Sequence, residues 1–183
     1  MKKIFALIGF SFILGFAAFF YSDEKNYDFS LRSEFSQNTS LEDFKGKKLI
    51  VYFGYTFCPD VCSTTLSMLS EKLRRINSPK AYLLFITLDL QRDKDIKALN
   101  EWLRYFYPHS TALIAPNEKS LQKITKNYGV IYHKIDLPNS AMQYSIAHSN
   151  EIYLIDSDSN FKASINDLNP KELLRNLEEF LKE

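Results

Sequence analysis

The sequence predicts an α/β domain built around a buried, mainly parallel sheet, with a membrane-spanning segment in front of it. Short apolar runs rich in β-branched and aromatic residues alternate with segments whose apolar residues recur at helical spacing. This strand, helix, strand, helix order requires parallel pairing with right-handed crossovers. The only two cysteines of the chain lie at the end of the first such strand, which is where α/β sheets place their ligands.

The N-terminus predicts a membrane anchor. Lys2 and Lys3 precede a low-polarity run from Ile4 to Tyr21, which is close to the length that spans a bilayer. We expect an uncleaved transmembrane helix over residues 1–22, with a signal peptide cleaved after Gly15-Phe16-Ala17 as the alternative. Because the lysines precede the run, the domain is expected on the periplasmic side of the inner membrane. No cysteine follows the run directly, so a bacterial lipid anchor is excluded.

The rest of the chain predicts one domain, since 183 residues suffice for a single buried core and an appendage. Residues 23–37 are polar and are expected to form a tether, with the domain extending over residues 38–183. Lys and Arg number 23 against 22 Asp and Glu, and no basic block is present. Nucleic acid is therefore not an expected partner.

The elements of the domain follow in a recognisable order. Buried strands are expected at residues 48–53, 81–88 and 111–114, and the helices after them at residues 58–77, 93–107 and 117–128. An extended segment at 130–137, a hairpin of strands at 151–156 and 161–165, and a closing helix with Asn169 as N-cap complete the chain. This is the order of a thioredoxin-like, three-layer fold with a central mixed sheet and an added helical unit.

Cys58 and Cys62 lie where the first strand gives way to a helix. Four residues advance about 400° around a helix, so both sulfurs should face the same side. A helix N-terminus favours thiolate over thiol. Two adjacent thiolates form a soft donor pair that suits reduced copper and can also close a disulfide.

Two other interpretations of the cysteine pair are less favoured. A role as small buried apolar residues would not explain why the only two cysteines of the chain meet at this junction. A closed zinc site needs four ligands and would have to recruit Asp60 or another acid.

Three histidines are candidates for a third ligand. His109 lies in a loop and His133 in the extended segment, and each is more typical of a surface or core-edge residue. His148 precedes the strand at 151–156, on a loop that the thioredoxin order returns to the first strand-helix junction. The sequence favours His148, with an ordinary hydrogen-bonded loop histidine as the alternative.

These motifs resemble, in order and spacing, the Sco/SenC family over residues 38–183. The matching segments are Phe44-Lys45-Gly46-Lys47, Val51 to Cys62, Ile86-Thr87-Leu88-Asp89, Arg92-Asp93, and His148-Ser149 before Ile152-Tyr153-Leu154. The resemblance implies a membrane-anchored thioredoxin-like domain that binds copper through Cys58, Cys62 and His148. It also implies delivery of copper or of reducing equivalents to the copper-receiving subunit of cytochrome c oxidase.

Three positions depart from the family pattern. Ser63 stands where the family usually has proline, Ala147 where an aspartate commonly precedes the histidine, and Leu90 where proline commonly follows Asp89. None of these removes a ligand. The missing acid at position 147 bears on how the imidazole is oriented, because partners of a ligand fix its geometry.

Three functions are compatible with these motifs. A metallochaperone would carry copper without turnover, and a thiol-disulfide oxidoreductase would use Cys58 and Cys62 as a redox pair on a partner's copper site. The resemblance to thioredoxin-type enzymes is incomplete, because three residues separate the cysteines instead of two and Ala147-His148-Ser149 occupies the expected proline loop. A peroxidase-like function lacks an arginine in the cysteine motif. The sequence favours metal binding.

Overall fold

A computed structural model describes residues 26–182 and contains two sheets. The strands are β1 Lys48–Gly54, β2 Ala81–Thr87, β3 Ser110–Leu113, β4 Tyr132–Leu137, β5 Gln143–His148, β6 Ile152–Ile155 and β7 Phe161–Ile165. The α-helices are α1 Val61–Ile76, α2 Ile96–Phe106, α3 Glu118–Tyr128 and α4 Pro170–Lys182. The main sheet has the order β3-β2-β1-β6-β7, and β4 pairs with β5 alone.

The central strand β1 explains the mixed character of the sheet. It runs parallel to β2 on one side, with Gly54 opposite Thr87, and antiparallel to β6 on the other, with Tyr52 opposite Ile152. All seven of its residues are buried. A strand covered on both faces has no polar side to alternate with, which is why its sequence is a continuous apolar run.

The helices begin and end close to the predicted residues. Asn117 caps α3 through a hydrogen bond from the Ser120 N–H, and Gly129 ends it in the left-handed conformation. Pro170 is the first residue of α4, where its missing N–H costs nothing. The predicted parallel units, antiparallel hairpin and closing helix are all present.

The hairpin of β4 and β5 differs from the sequence prediction. Residues 145–148 were expected to form a loop leading into β6, yet they belong to a strand that pairs antiparallel with β4, with His148 opposite Tyr132. The physical reason is burial on one face, since Tyr144 and Ile146 point into the core while their neighbours do not. His148 therefore lies at the end of a strand.

Part of the predicted tether, residues 23–37, is packed against the folded domain. Leu31 exchanges two backbone hydrogen bonds with Thr39, at 2.9 and 2.7 Å, and Arg32 exchanges two with Ile114 at 2.9 Å. Phe29 and Leu31 are buried in the core. The packed region thus includes residues upstream of position 38, where the sequence had placed the start of the domain.

The predicted membrane anchor, residues 1–22, lies outside the described residues. Between residues 26 and 182, no helix combines the length and the apolar character needed to cross a bilayer.

Candidate metal centre

The two cysteines lie on either side of the start of α1. Cys62 is in the first turn of the helix, whereas Cys58 precedes it in the loop after β1. The backbone N–H of Cys62 donates a hydrogen bond to the Sγ of Cys58 at 3.4 Å. The thiols therefore meet as the spacing predicts, although only Cys62 is helical.

The loop that carries Cys58 is tied to the end of β2 by Asp93. This carboxylate accepts hydrogen bonds from the backbone N–H of Thr56 at 3.1 Å, from the Thr56 hydroxyl, and from the Thr87 hydroxyl at 2.6 Å. Burial raises the pKa of Asp93, and these three donors offset part of the cost of burying its charge. The loop thereby has a fixed path out of the sheet.

Gly54 makes room for the sulfur of Cys62. A Cβ atom at position 54 would lie 3.0 Å from the Cys62 Sγ and 3.1 Å from the ring of Phe85. Both contacts are shorter than ordinary packing distances, so a side chain at this position would require the Cys62 sulfur and the Phe85 ring to shift by a few tenths of an ångström. Cys62 is accordingly almost completely buried, with 1% of its surface exposed.

His148 faces Cys62 with one ring nitrogen and its own backbone with the other. Its Nε2 lies 3.4 Å from the Cys62 Sγ, and its Nδ1 lies 3.0 Å from the carbonyl oxygen of Ser149. A carbonyl can only accept, so Nδ1 carries the proton and the Nε2 lone pair is directed at the thiol. Burial lowers the pKa of His148, which favours this neutral form.

The Ser149 carbonyl therefore takes the place of the acid that is missing at position 147. A partner that accepts from one nitrogen fixes the tautomer and leaves the other nitrogen free as a ligand. The sequence could not reveal this contact, because it comes from the backbone.

The structure brings all three predicted site residues together. The ligand atoms of Cys58, Cys62 and His148 lie within 4.8 Å of one another, and no other group of three or more histidine, cysteine or acidic residues in the described part of the chain could hold a metal ion. Asp60 is not a member of the group. Two thiols and an imidazole with a free lone pair suit a soft metal ion, and a fourth protein ligand of a closed zinc site is missing from the group.

Burial affects the chemistry of the inner thiol. It raises the pKa of Cys62 to about 12. In the metal-free protein this thiol therefore keeps its proton at neutral pH, and a bound cation has to displace that proton. Cys58 is only half-buried and is the more accessible sulfur.

The other two histidines lie apart from the site. His133 is exposed on β4, opposite Ala147, and His109 is exposed beside the ring of Tyr107. The expectation that both are surface residues agrees with these positions.

Sequence reasoning missed Tyr55, which joins the cysteine loop to the hairpin. Its hydroxyl accepts a hydrogen bond from the Ile146 N–H at 3.2 Å and lies 3.1 Å from the Ser145 hydroxyl. Its ring meets the imidazole of His148 edge-on, with 6.2 Å between the ring centres. The available signal was the position of this tyrosine directly after a buried strand. A phenol at such a position is expected to be buried, and its hydroxyl then needs a polar partner.

Arg92 forms a second link between the same elements. Its guanidinium donates to the carbonyls of Met142 and Tyr144, the latter at 3.1 Å, and lies over the ring of Phe57, 5.1 Å from the ring centre. Its Nη2 is committed to the hairpin backbone, and its Nη1 lies 3.7 Å from the Asp89 carboxylate. This arginine does not point to the peroxidase-like chemistry considered from the sequence.

The chain is similar in sequence and structure to known proteins. The family model described as SCO1/SenC matches residues 21–182. A "SCO2-like protein" of Rickettsia felis is 34% identical over 158 residues, covering 85% of this chain and 74% of the relative. The structure of Bradyrhizobium japonicum ScoI with copper bound has a TM-score of 0.69 and 30% sequence identity, covering 84% of this chain and 97% of that one.

A more distant structure bears on the fold alone. The thioredoxin domain of a thiol-disulfide oxidoreductase from Bacteroides vulgatus has a TM-score of 0.58 at 17% identity, covering 84% of this chain and 93% of that one. The predicted thioredoxin-like α/β fold with a mixed central sheet is confirmed.

Proposed function

The chain belongs to the SCO1/SenC family, and on that basis we propose that it binds one copper ion through Cys58, Cys62 and His148. The observation that carries the proposal is the approach of these three ligand atoms to within 4.8 Å. The recipient we propose is the copper-receiving subunit of cytochrome c oxidase during its assembly. The protein would act from the membrane, held by residues 1–22, with its domain on the exported side.

The donor set supports copper over other metals. Thiolates are soft ligands that select reduced copper, and imidazole also suits copper. A structural zinc ion prefers four protein ligands, whereas this group supplies three. Copper is the cargo of the protein in this proposal. A coordination shell with only three protein ligands leaves a position through which a recipient can take the ion.

The three ligands have different roles in loading and release. Binding displaces the proton that burial keeps on Cys62, while His148 is already neutral and presents Nε2. Cys62 and His148 hold the ion from the interior, and half-buried Cys58 is the ligand that a partner reaches first. The exposed side chains of Phe57 and Val61 flank that accessible side.

A thiol-disulfide oxidoreductase is the second candidate, favoured by the proximity of the two sulfurs, which lie within 4.8 Å of each other. The Cys62 N–H donates to the Cys58 sulfur, and both cysteines are unpaired. In that reaction the Cys58 thiolate would attack a partner's disulfide to form a mixed disulfide. Cys62 would then displace the partner, so that two electrons and two protons pass to the partner as the Cys58–Cys62 disulfide forms.

Copper content at defined thiol redox states tests the first candidate. The full-length protein in detergent is prepared fully reduced and with the Cys58–Cys62 disulfide formed, and each form is equilibrated with Cu(I). We expect one copper per chain in the reduced form and none in the oxidised form, because a disulfide removes both soft ligands. Full copper loading of the oxidised protein would show that the two thiolates are not the ligands.

A further inference from the structure

The position of His148 depends on how the end of β5 is held. The β4–β5 hairpin is a separate sheet, and the preceding residue, Ala147, has no polar atom to orient the ring. The imidazole instead bonds the carbonyl of Ser149, whose N–H donates to the Ile131 carbonyl at 2.8 Å. His148 is thus held by its pairing opposite Tyr132, and the orientation of its ring also depends on the segment that directly follows it.

That segment is bonded to the domain through the side chain of Asn150. The Tyr52 hydroxyl donates to the Oδ1 of Asn150 at 3.0 Å. The amide of Asn150 also lies 3.3–3.4 Å from the hydroxyl of Thr65. Both partners are buried and Asn150 is half-buried, so these bonds are partly shielded from competing water.

The two partners of Asn150 belong to the elements that carry the cysteines. Tyr52 lies in β1, the strand that leads to Cys58, and Thr65 lies in α1, three residues after Cys62. Asn150 itself follows His148 by two residues. One amide thus joins the three parts of the chain that supply the three ligand atoms.

We propose that Asn150 is a positioning residue that holds the imidazole of His148 against Cys62, an inference that rests on the proposed copper site. Tyr55 holds β5 before His148 in sequence, through Ser145 and Ile146. Asn150 holds the chain after His148. Together with the pairing of His148 opposite Tyr132, these contacts hold the residue from both directions along the chain. Asn150 acts through His148 and does not touch the metal.

A double-mutant cycle tests this role. The Cu(I) affinity of the reduced full-length protein is measured by chelator competition for Asn150→Ala alone and in the His148→Ala background. We expect roughly a tenfold loss in the first case, at the lower end of what removing a partner of a metal ligand costs, and no further loss in the second. Equal losses in both backgrounds, or no loss in either, would overturn the proposal.

The matched control is Asn139→Ala. Asn139 is exposed in the turn of the same hairpin, and its replacement should leave the Cu(I) affinity unchanged. Thr65→Val keeps the shape of the partner side chain without its hydroxyl, so it should shift the affinity in the same direction by less. This variant decides the question if Asn150→Ala does not fold.

A metal-free measurement separates this inference from the proposed function. Nitrogen-15 NMR of the His148 ring in the metal-free protein should show one tautomer with the proton on Nδ1, and a mixture of tautomers in Asn150→Ala. An unchanged tautomer in the variant would refute the positioning role even if copper binds as proposed. A wild-type protein that binds no copper would refute the proposed function, and the ring spectrum would still decide the role of Asn150.

Discussion

The Nε2 of His148 lies 3.4 Å from the Sγ of Cys62, although 86 residues separate them along the chain. One residue ends a strand of the small hairpin and the other opens the helix that follows the central strand. This contact places a nitrogen lone pair, which can accept a proton, next to a buried thiol. The sulfur of that thiol can bind a soft metal ion.

Replacing His148 with Ala should separate the two candidate functions. An imidazole serves a bound metal and is dispensable for simple dithiol exchange. Copper affinity should therefore fall by at least the roughly 10–100-fold that removing a partner of a metal ligand costs. Reversible formation of the Cys58–Cys62 disulfide should persist. Chelator competition and thiol-disulfide titration measure the two properties.

His133→Ala is the control for this variant, since His133 is exposed on the same hairpin. Cys58→Ser and Cys62→Ser should abolish both copper binding and disulfide formation. The metallochaperone role would be lost if His148→Ala kept its copper affinity but no longer reduced a partner's disulfide. His148 would then be a proton-transfer group for thiol exchange.

Replacing Gly54 with Ala should damage the site through Cys62. The new Cβ would lie 3.0 Å from the Cys62 Sγ, and overpacking of this kind typically costs 1–3 kcal/mol of unfolding free energy. We expect a lower midpoint in chemical denaturation together with weaker Cu(I) binding.

Gly129→Ala provides the comparison. Gly129 has a φ of 80° and no atom near its absent side chain, so alanine there strains the backbone without touching the site. It should lower the unfolding free energy and leave copper affinity unchanged. If both glycine variants weakened copper binding alike, the loss would reflect general destabilisation.

The buried thiol of Cys62 should make the metal-free, reduced protein less stable in alkali. Its pKa is raised by burial from 9.0 to about 12 in the folded state. Between these values the unfolded thiol ionises while the folded one cannot. The unfolding free energy should therefore fall as pH rises above 9, by on the order of 1 kcal/mol at pH 10.

Denaturation of wild type and Cys62→Ala at pH 7 and pH 10 isolates this contribution. Other groups titrate in both proteins, so only the difference between them reports Cys62. A difference that does not change with pH would show that Cys62 is not a protonated, buried thiol.

The N-terminal segment should remain attached to the protein and hold it in the membrane. Lys2 and Lys3 favour an N-terminus on the inner side, which places the domain on the exported side. N-terminal sequencing and membrane fractionation measure this. A mature N-terminus near residue 18, with release of the protein into the soluble exported fraction, would show a cleaved signal instead.

Local patterns made most of the main sheet predictable. The apolar run of β1, the caps of α3 and α4, and the cysteine spacing are all encoded within a few residues of where they act. The pairing of Arg32 with Ile114 was not predictable, because it joins residues far apart in sequence.

The approach of the three proposed ligands was predictable, but the residues that support them were not. Cys58, Cys62 and His148 carry distinctive side chains, so spacing and order could single them out. Tyr55 and Asn150 act through hydrogen bonds to residues about 90 and 98 positions away, and nothing near them in the sequence indicates those partners. The strand β5 was missed for a different reason. It directly follows its partner β4, but only Tyr144 and Ile146 of its six residues are buried, so its apolar pattern is weak.

The separation of the β4–β5 hairpin from the main sheet has a consequence for local stability. Small units of a fold can open independently, at a lower free energy than global unfolding. An ion bound by His148 on the hairpin and by the cysteines on the rest of the domain would couple the opening of these two units. It would stabilise the closed state, in which all three ligands are together. Amide hydrogens of the hairpin should therefore exchange with solvent more slowly once the ion is bound, whereas we expect a smaller change for those of the fully buried strand β1.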